Sequence, residues 1–434
     1  MWRPPPEWIR VARPECHKGA TMRGWLQMPI LLMGRAYRSL WIRVGAYALL
    51  SILLAIGAAL LDQLIPLRVA ALVQSEDVIP ILSILASSLL AVSIFSLNVM
   101  VSAHRAAADI STPRIHRLLL EDTTTQSVLA IFIGAFVNTL TMLILYRMGA
   151  YSERASILVM AVIILLVVLI IGALLRWIEH LSKLGSLDDS MRRVSRPAKS
   201  GLERLARDPA LGGVPLTPDI VVPTELRTVA APRSGYVQLV DMAGLQECLP
   251  SESHAYIRVP PGEHVLKGQP LVQVSGHITD SGAKRIAGSF VIGDIRTFEQ
   301  DPAIGLVALA EIASKALSPG INDTGTAMEA ITRSERLLWD YSRARQEGQD
   351  KPPTYMRVFL PVPPAGDLLE AAFATVARDG AGQIEVTRRL RAALLTLSES
   401  ADKELAAASR TMTERALRYA DKALILEEER ETLR

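Results

Sequence analysis

The sequence has few of the residues that usually carry catalysis or metal binding. Its 434 residues include two cysteines, Cys16 and Cys248. They form no ligand spacing and no disulfide framework, so both read as reduced thiols. Seven histidines are scattered along the chain, and those at 104, 116 and 180 flank apolar runs. There is no H-E-x-x-H, no G-x-S-x-G and no glycine-rich phosphate loop ending in lysine. Aromatic residues make up only 5% of the chain. The formal net charge of +3 is too small to imply a nucleic-acid partner, and no nucleic-acid motif accompanies it. The expectation is a non-enzyme with no cofactor, no metal site and no catalytic residue.

What is abundant is apolar surface. Half of the residues are hydrophobic, and the mean hydropathy is +0.26. The excess is concentrated before residue 177, in four runs: Trp41–Leu61, Ile79–Val101, Gln126–Tyr146 and Ala155–Leu175. Each has about 20 residues, the length an α-helix needs to cross a bilayer. Apart from Arg43, none carries a charge. One soluble core cannot hide four such runs, so four transmembrane helices are expected, with the lipid bilayer as first partner. Twelve Lys and Arg residues flank the first run's start, the 2–3 connection and the fourth run's end, against three in the other two connections. By the positive-inside rule both termini are cytoplasmic, in a bacterial inner membrane.

The second run is patterned. Ser83, Ser87, Asn98, Ser102, Arg105 and Asp109 fall within an arc of about 100° on a helical wheel. In the third, Gly134, Asn138 and Thr141 share a face. Two readings stay open: helix packing through small and hydroxylated residues, or a polar pathway lined in a homo-oligomer. Arg105 and Asp109 are spaced as a surface pair. Between the second and third runs, Pro113 and the Ile115, Leu118, Leu119 pattern predict a short amphipathic helix at the interface.

The domain reading is as follows. Residues 1–34 form a disordered segment that lacks the pattern of a secretory signal, with Met22 and Met28 as alternative starts. Residues 35–184 are a four-helix transmembrane domain, and 185–225, rich in Ser, Pro, Gly and Arg, are a linker. Residues 226–295 are a β-rich module, and 296–434 are a helical cytoplasmic region with one short strand near 355–361. The fold class is therefore membrane α-helical followed by a soluble α+β region. VPPGEHVLKGQPLVQV (Val259–Val274) resembles the hairpin of barrel-sandwich modules related to lipoyl and biotinyl carriers, which implies a small barrel-like fold. Lys267 lacks the carrier's Met or Asp context, so no cofactor follows. In the tail, Leu405, Met412, Tyr419 and Leu426 recur every seven residues. That spacing suits two helices or one long helix pairing with a neighbour.

RTFEQDPAIGLVALAEIASKALSPGIND, with SGYVQLVDMAGL before it and FSLNVMVSAHRAAADISTPRIHRLLLED in the apolar half, resembles a bacterial family of predicted integral membrane proteins. The family is catalogued as domain of unknown function 2254, and the resemblance spans roughly residues 35–430. It implies a multipass topology and a cytoplasmic C-terminal region, and it supplies no activity. The family has Pro after Asn-Asp, where Thr324 stands in this chain.

Within that stretch, Asp301-Pro302 reads as a helix start, Pro319-Gly320 as a stop, and Asp323 or Thr324 as the next cap. Three readings apply to the polar residues. They cap helix ends; or amides at Gly325, Thr326 and Ala327 with Arg296 hold an anion; or Glu299, Asp301, Asn322 and Asp323 hold a cation. Arg296, Glu299, Asp301, Asn322 and Asp323 are thus the candidate ligand site, and an enzyme would need all five in one cleft. The functional expectation is an oligomeric channel- or transporter-like protein with a cytoplasmic sensing or gating module. The alternative is a membrane-tethered scaffold or regulator without a transport pathway.

Overall fold

The apolar runs form long helices because they contain no interior charge and leave the backbone no partner in lipid except itself. They are α1 (Leu40–Leu60), α2 (Ser75–Ile110), α3 (Thr123–Arg147) and α4 (Ala155–Leu181). In this computed structural model, residues 40–60, 75–110, 123–151, 155–181, 187–348 and 352–433 are described. They divide into two units, one ending at Ser190 and one beginning at Met191. The expectations for residues 1–34, for Cys16 and for the interfacial helix beyond residue 110 lie outside the described residues. Residues 103–110 continue α2.

In the membrane unit, α3 packs against α1, α2 and α4. Gly134 permits the close approach of α1, since a Cβ there would lie 3.1 Å from Tyr47 Cβ. The Asn138 amide donates to the Ser51 carbonyl at 2.8 Å, and the Tyr151 hydroxyl donates to the Ala55 carbonyl at 2.7 Å. Leu82, Met142 and Val159 fill one internal cluster; Val128, Phe132 and Trp177 fill another. Among the described residues three helices are long and apolar enough to cross a bilayer: Glu76–Ser102, Ser127–Arg147 and Ala155–Glu179. α1 adds a shorter described apolar stretch, Val44–Gly57.

Much of the expected linker, residues 185–225, is a helix. Residues 187–207 form helix α5 (Leu187–Arg207). It buries Met191, Val194, Ala198, Leu202 and Leu205 at helical spacing, so its polar composition reflects a strongly amphipathic helix. Next come β1 (Gly213–Pro215), β2 (Leu226–Ala230), β3 (Gly235–Val240), α6 (Met242–Cys248), β4 (Ala255–Ile257), β5 (His264–Val265), β6 (Pro270–Ser275), α7 (Asp280–Gly288) and β7 (Phe290–Gly293). The chain continues through α8 (Ile304–Ala316), α9 (Thr324–Glu347), β8 (Tyr355–Leu360), α10 (Ala365–Asp379), α11 (Ile384–Ser398), α12 (Lys403–Ala423) and α13 (Glu427–Glu431).

The strands make two open sheets, ordered β1-β8-β4-β6-β2 and β5-β3-β7, with no closed barrel among the described residues. The stretch expected as a hairpin splits between them. β5 pairs with β3, while β6 pairs with β2 and β4. The turn itself is as read, with Gly268 at φ +87° and the Lys267 amide on Ser234 Oγ at 2.9 Å. The late strand β8 also crosses the expected boundary. It lies parallel between β1 and β4, with Ala255 opposite Val358. Ile257, Leu271, Val272 and Val358 close the core between strands and helices.

α8 packs on α9 and α10, α9 on α11, and α12 on α10 and α11. The seven-residue seam of the tail does not persist. Leu405 and Met412 are buried, but Tyr419 and Leu426 are exposed. Besides Ala406, the buried positions of α12 are Leu405, Ser409, Met412, Ala416 and Ala420. They advance by three or four with the helix's own 3.6-residue period and drift off the heptad.

Candidate functional site

The Glu-Gln-Asp-Pro segment works as a clasp. The Gln300 side chain behaves like a strand residue, accepting from the Val240 amide at 2.7 Å and donating to the Val240 carbonyl at 3.1 Å. The buried Asp301 carboxylate receives Arg296 Nε at 2.6 Å and Nη2 at 2.9 Å. It also accepts from the amides of Ala303 and Ile304, capping α8. The expected cap is therefore present, although regular helix begins at Ile304. Gly262, at φ +92°, comes so close that a Cβ would sit 2.6 Å from Asp301 Cγ. Arg204 of α5 donates to the Glu299 carbonyl.

These groups floor a cleft of about 370 Å³ between α5, the 260–263 turn, the 296–303 segment and the start of α10. Glu263 and Asp367 line it as well. Loss of water raises the Glu263 pKa above the usual carboxylate value, and the Asp367 charge adds to the rise, while Arg296 pulls it back. Neither Glu263 nor Asp367 is in an ion pair among the described residues. Sequence reasoning missed both, together with Arg204. The visible signal was three proline-containing segments, Asp208-Pro209, Pro260-Pro261 and Pro361–Pro364, far apart in the chain.

Of the five expected site residues, Arg296, Glu299 and Asp301 line this cleft; Asn322 and Asp323 do not. Those two build the corner between α8 and α9. Asn322 adopts φ +49°, a left-handed conformation that asparagine tolerates better than most residues. Its side-chain oxygen accepts from Gln383 at 2.8 Å. Asp323 caps α9, accepting from the Thr326 amide at 3.0 Å and the Thr326 hydroxyl at 2.6 Å. Those bonds hold its carboxyl below the usual range. The amide offered to an anion in the alternative reading is thus already occupied by the protein's own carboxylate.

In the membrane unit the stripe lies outside. Ser83, Ser87, Asn98, Ser102 and Arg105 are exposed on α2; the Asp109 side chain lies outside the described set. The Ser83 and Ser87 hydroxyls donate to carbonyls of their own helix. Asn138, by contrast, is buried against α1.

A wider groove of about 590 Å³ beside α12 and α13 carries Arg415, Arg418, Lys422 and Arg430. Arg415 is held by Glu370 and Arg430 by Glu427. That leaves the clasp cleft as the better-built site.

The family described as predicted membrane protein, DUF2254, matches residues 37–396. This chain belongs to that family. As a DUF2254 member it is similar to uncharacterized proteins of Mycobacterium bovis and Mycobacterium tuberculosis. Identity is 26% over 305 residues, covering 66% of this chain and 57% of each relative. The chain thus spans little more than half the length of those relatives. No solved structure matches it. The DUF2254 match includes both the apolar helices and the clasp.

Proposed function

We propose that this chain is a non-enzymatic, multi-pass inner-membrane protein that self-associates along the outward face of α2 and carries a cytoplasmic sensing or gating module. α1 is the fourth span: its 21 residues reach about 31 Å, enough to cross. The positive-inside count puts both termini and the C-terminal module in the cytoplasm.

The observation that carries the self-association is the exposure of Asn98, in the row that includes Ser83, Ser87 and Ser102. A carboxamide facing hydrocarbon without a partner costs about 2–7 kcal/mol, and a second copy presenting the same row removes that cost. The interior polar groups Asn138 and Tyr151 are engaged by α1 carbonyls, so a polar pathway in this protein is one built between copies. A tethering role without transport is the second reading. It is favoured by the Ser83 and Ser87 hydroxyls, which already bond to their own helix and ask little of a neighbour. A non-enzymatic module is supported by the mutual engagement of Arg296 and Asp301.

The mass of the detergent-solubilised protein tests the proposal. The expected result is an oligomer that Asn98→Leu shifts toward monomer, and a wild-type monomer would end the proposal. Solute or ion flux through liposomes then separates a pathway from a tether.

A further inference from the structure

The clasp cleft has an unusual donor balance. Seven of its 22 lining residues are prolines, among them Pro209, Pro260, Pro302 and Pro363, and proline has no amide hydrogen. The amides that remain are largely spent. Gly262 donates to Val237, Glu263 to Pro260, Leu211 to Asp208 and Asp367 to Pro364, all through backbone carbonyls. Ala303 donates to the Asp301 carboxylate. Of the side-chain donors, Arg296 is held by Asp301, Arg204 by the Glu299 carbonyl and Gln300 by Val240. Acceptors stay in excess. Two arginines face five carboxylates, those of Asp208, Glu263, Glu299, Asp301 and Asp367, which leaves the lining net negative by three when all are ionised. Asp208 and Asp301 already accept from the Gly212 amide and Arg296, so Glu263 and Asp367 are the ones open to a donor. Leu205, Leu360 and Val362 add apolar wall.

We propose that this cleft binds a small aliphatic di- or polyamine. Its ammonium groups would be received by Glu263 and Asp367, and its methylene chain would lie along the prolines. Arg204 and Arg296 keep N–H groups beyond those bonded to Glu299 and Asp301, but carboxylates outnumber the arginines in the wall and repel an anion. An ammonium donates up to three hydrogen bonds and accepts none, so it satisfies that wall. Placed between two carboxylates that repel one another, it also relieves their repulsion. The volume suits a chain of a few methylenes rather than a macromolecule. This inference rests on the sensing role proposed above and gives that role its ligand class.

Calorimetry on the full-length protein in detergent tests it, with 1,4-diaminobutane as probe and magnesium chloride and inorganic phosphate as competitors. The expected result is saturable binding at one site per chain. Glu263→Gln and Asp367→Asn should each weaken it about tenfold or more, the loss expected when one charged hydrogen-bond partner goes. Glu414→Gln, on the exposed side of α12, should leave it unchanged. A thermal melt of each variant establishes that it is folded. No binding, undiminished binding in both cleft variants, or displacement of the diamine by phosphate or by magnesium at lower concentration would overturn the inference. Diamine binding that leaves oligomeric state and flux untouched would uphold the ligand and remove the sensing role.

Discussion

In the membrane unit Phe95, Leu165 and Val168 stand exposed, while Asn138, Thr139 and Ser156 are buried. In the C-terminal module Ile257, Leu271 and Phe373 are fully buried, and the arginines and glutamates lie near the surface. The module sorts its side chains by polarity, whereas the membrane unit leaves leucines and polar residues both inside and outside. Hydrocarbon gives an outward leucine nothing to escape from, so polar contacts and close packing hold that unit. Water drives the module's leucines inward at about 25 cal/mol per Å² of apolar surface.

One substitution made in both places measures that difference most strongly. Leu271→Ala, at a fully buried position, should cost about 2–5 kcal/mol. Leu165→Ala, at a position 57% exposed, should leave the melting temperature in detergent nearly unchanged. Equal losses would mean that α4 is packed against protein and not lipid.

Gly305→Ala bears on which region owns α5. A Cβ at Gly305 collides with Ala198 of α5, so overpacking should cost about 1–3 kcal/mol. If residues 185–225 were a free linker, the same change would stabilise α8 through helix propensity. Thermal melts of the variant decide the sign.

A smaller effect is expected inside the membrane unit. Asn138→Leu removes the bond to the Ser51 carbonyl and should lower stability by about 0.6–2 kcal/mol, the range for interhelical hydrogen bonds in membranes. A larger loss, read from detergent unfolding, would make polar contacts the main force holding that unit.

The smallest effect belongs to the module alone. Burial, reinforced by Arg357, holds the His254 imidazole below its ordinary pKa of 6.5. The native state then binds this proton more weakly than the unfolded chain. Its contribution is fully present above pH 6.5 and is lost as pH falls toward the depressed value. The melting temperature should decline between pH 7 and 5, and His254→Gln should flatten that decline.

The sequence was legible wherever a local rule decided the outcome. Asp301 and Asp323 read as caps because a short carboxylate before a helix has orphan amides to meet. Three of the four apolar runs read as helices long enough to cross a bilayer because nothing in their composition competes. The linker reading of residues 185–225 failed because serine, proline and arginine composition concealed the spacing of Met191, Val194, Ala198, Leu202 and Leu205. The tail's seven-residue spacing allowed separate helices or one long one, and the chain takes the former, since Leu426 lies beyond the end of α12 at Ala423.

By itself the sequence determined three long apolar helices, the turn at Gly268, the helix caps and the family. The helices, the turn and the caps are each set by neighbouring residues, and the family by motifs spread along the chain. Only the tertiary structure decided that β8 enters the sheet beside β4, that β5 and β6 part company, and that Arg204, Glu263, Arg296 and Asp367 meet in one cleft. Those partners are separated by up to about 160 positions in the chain. Their meeting depends on burying a shared core and on pairing strands that no local spacing encodes.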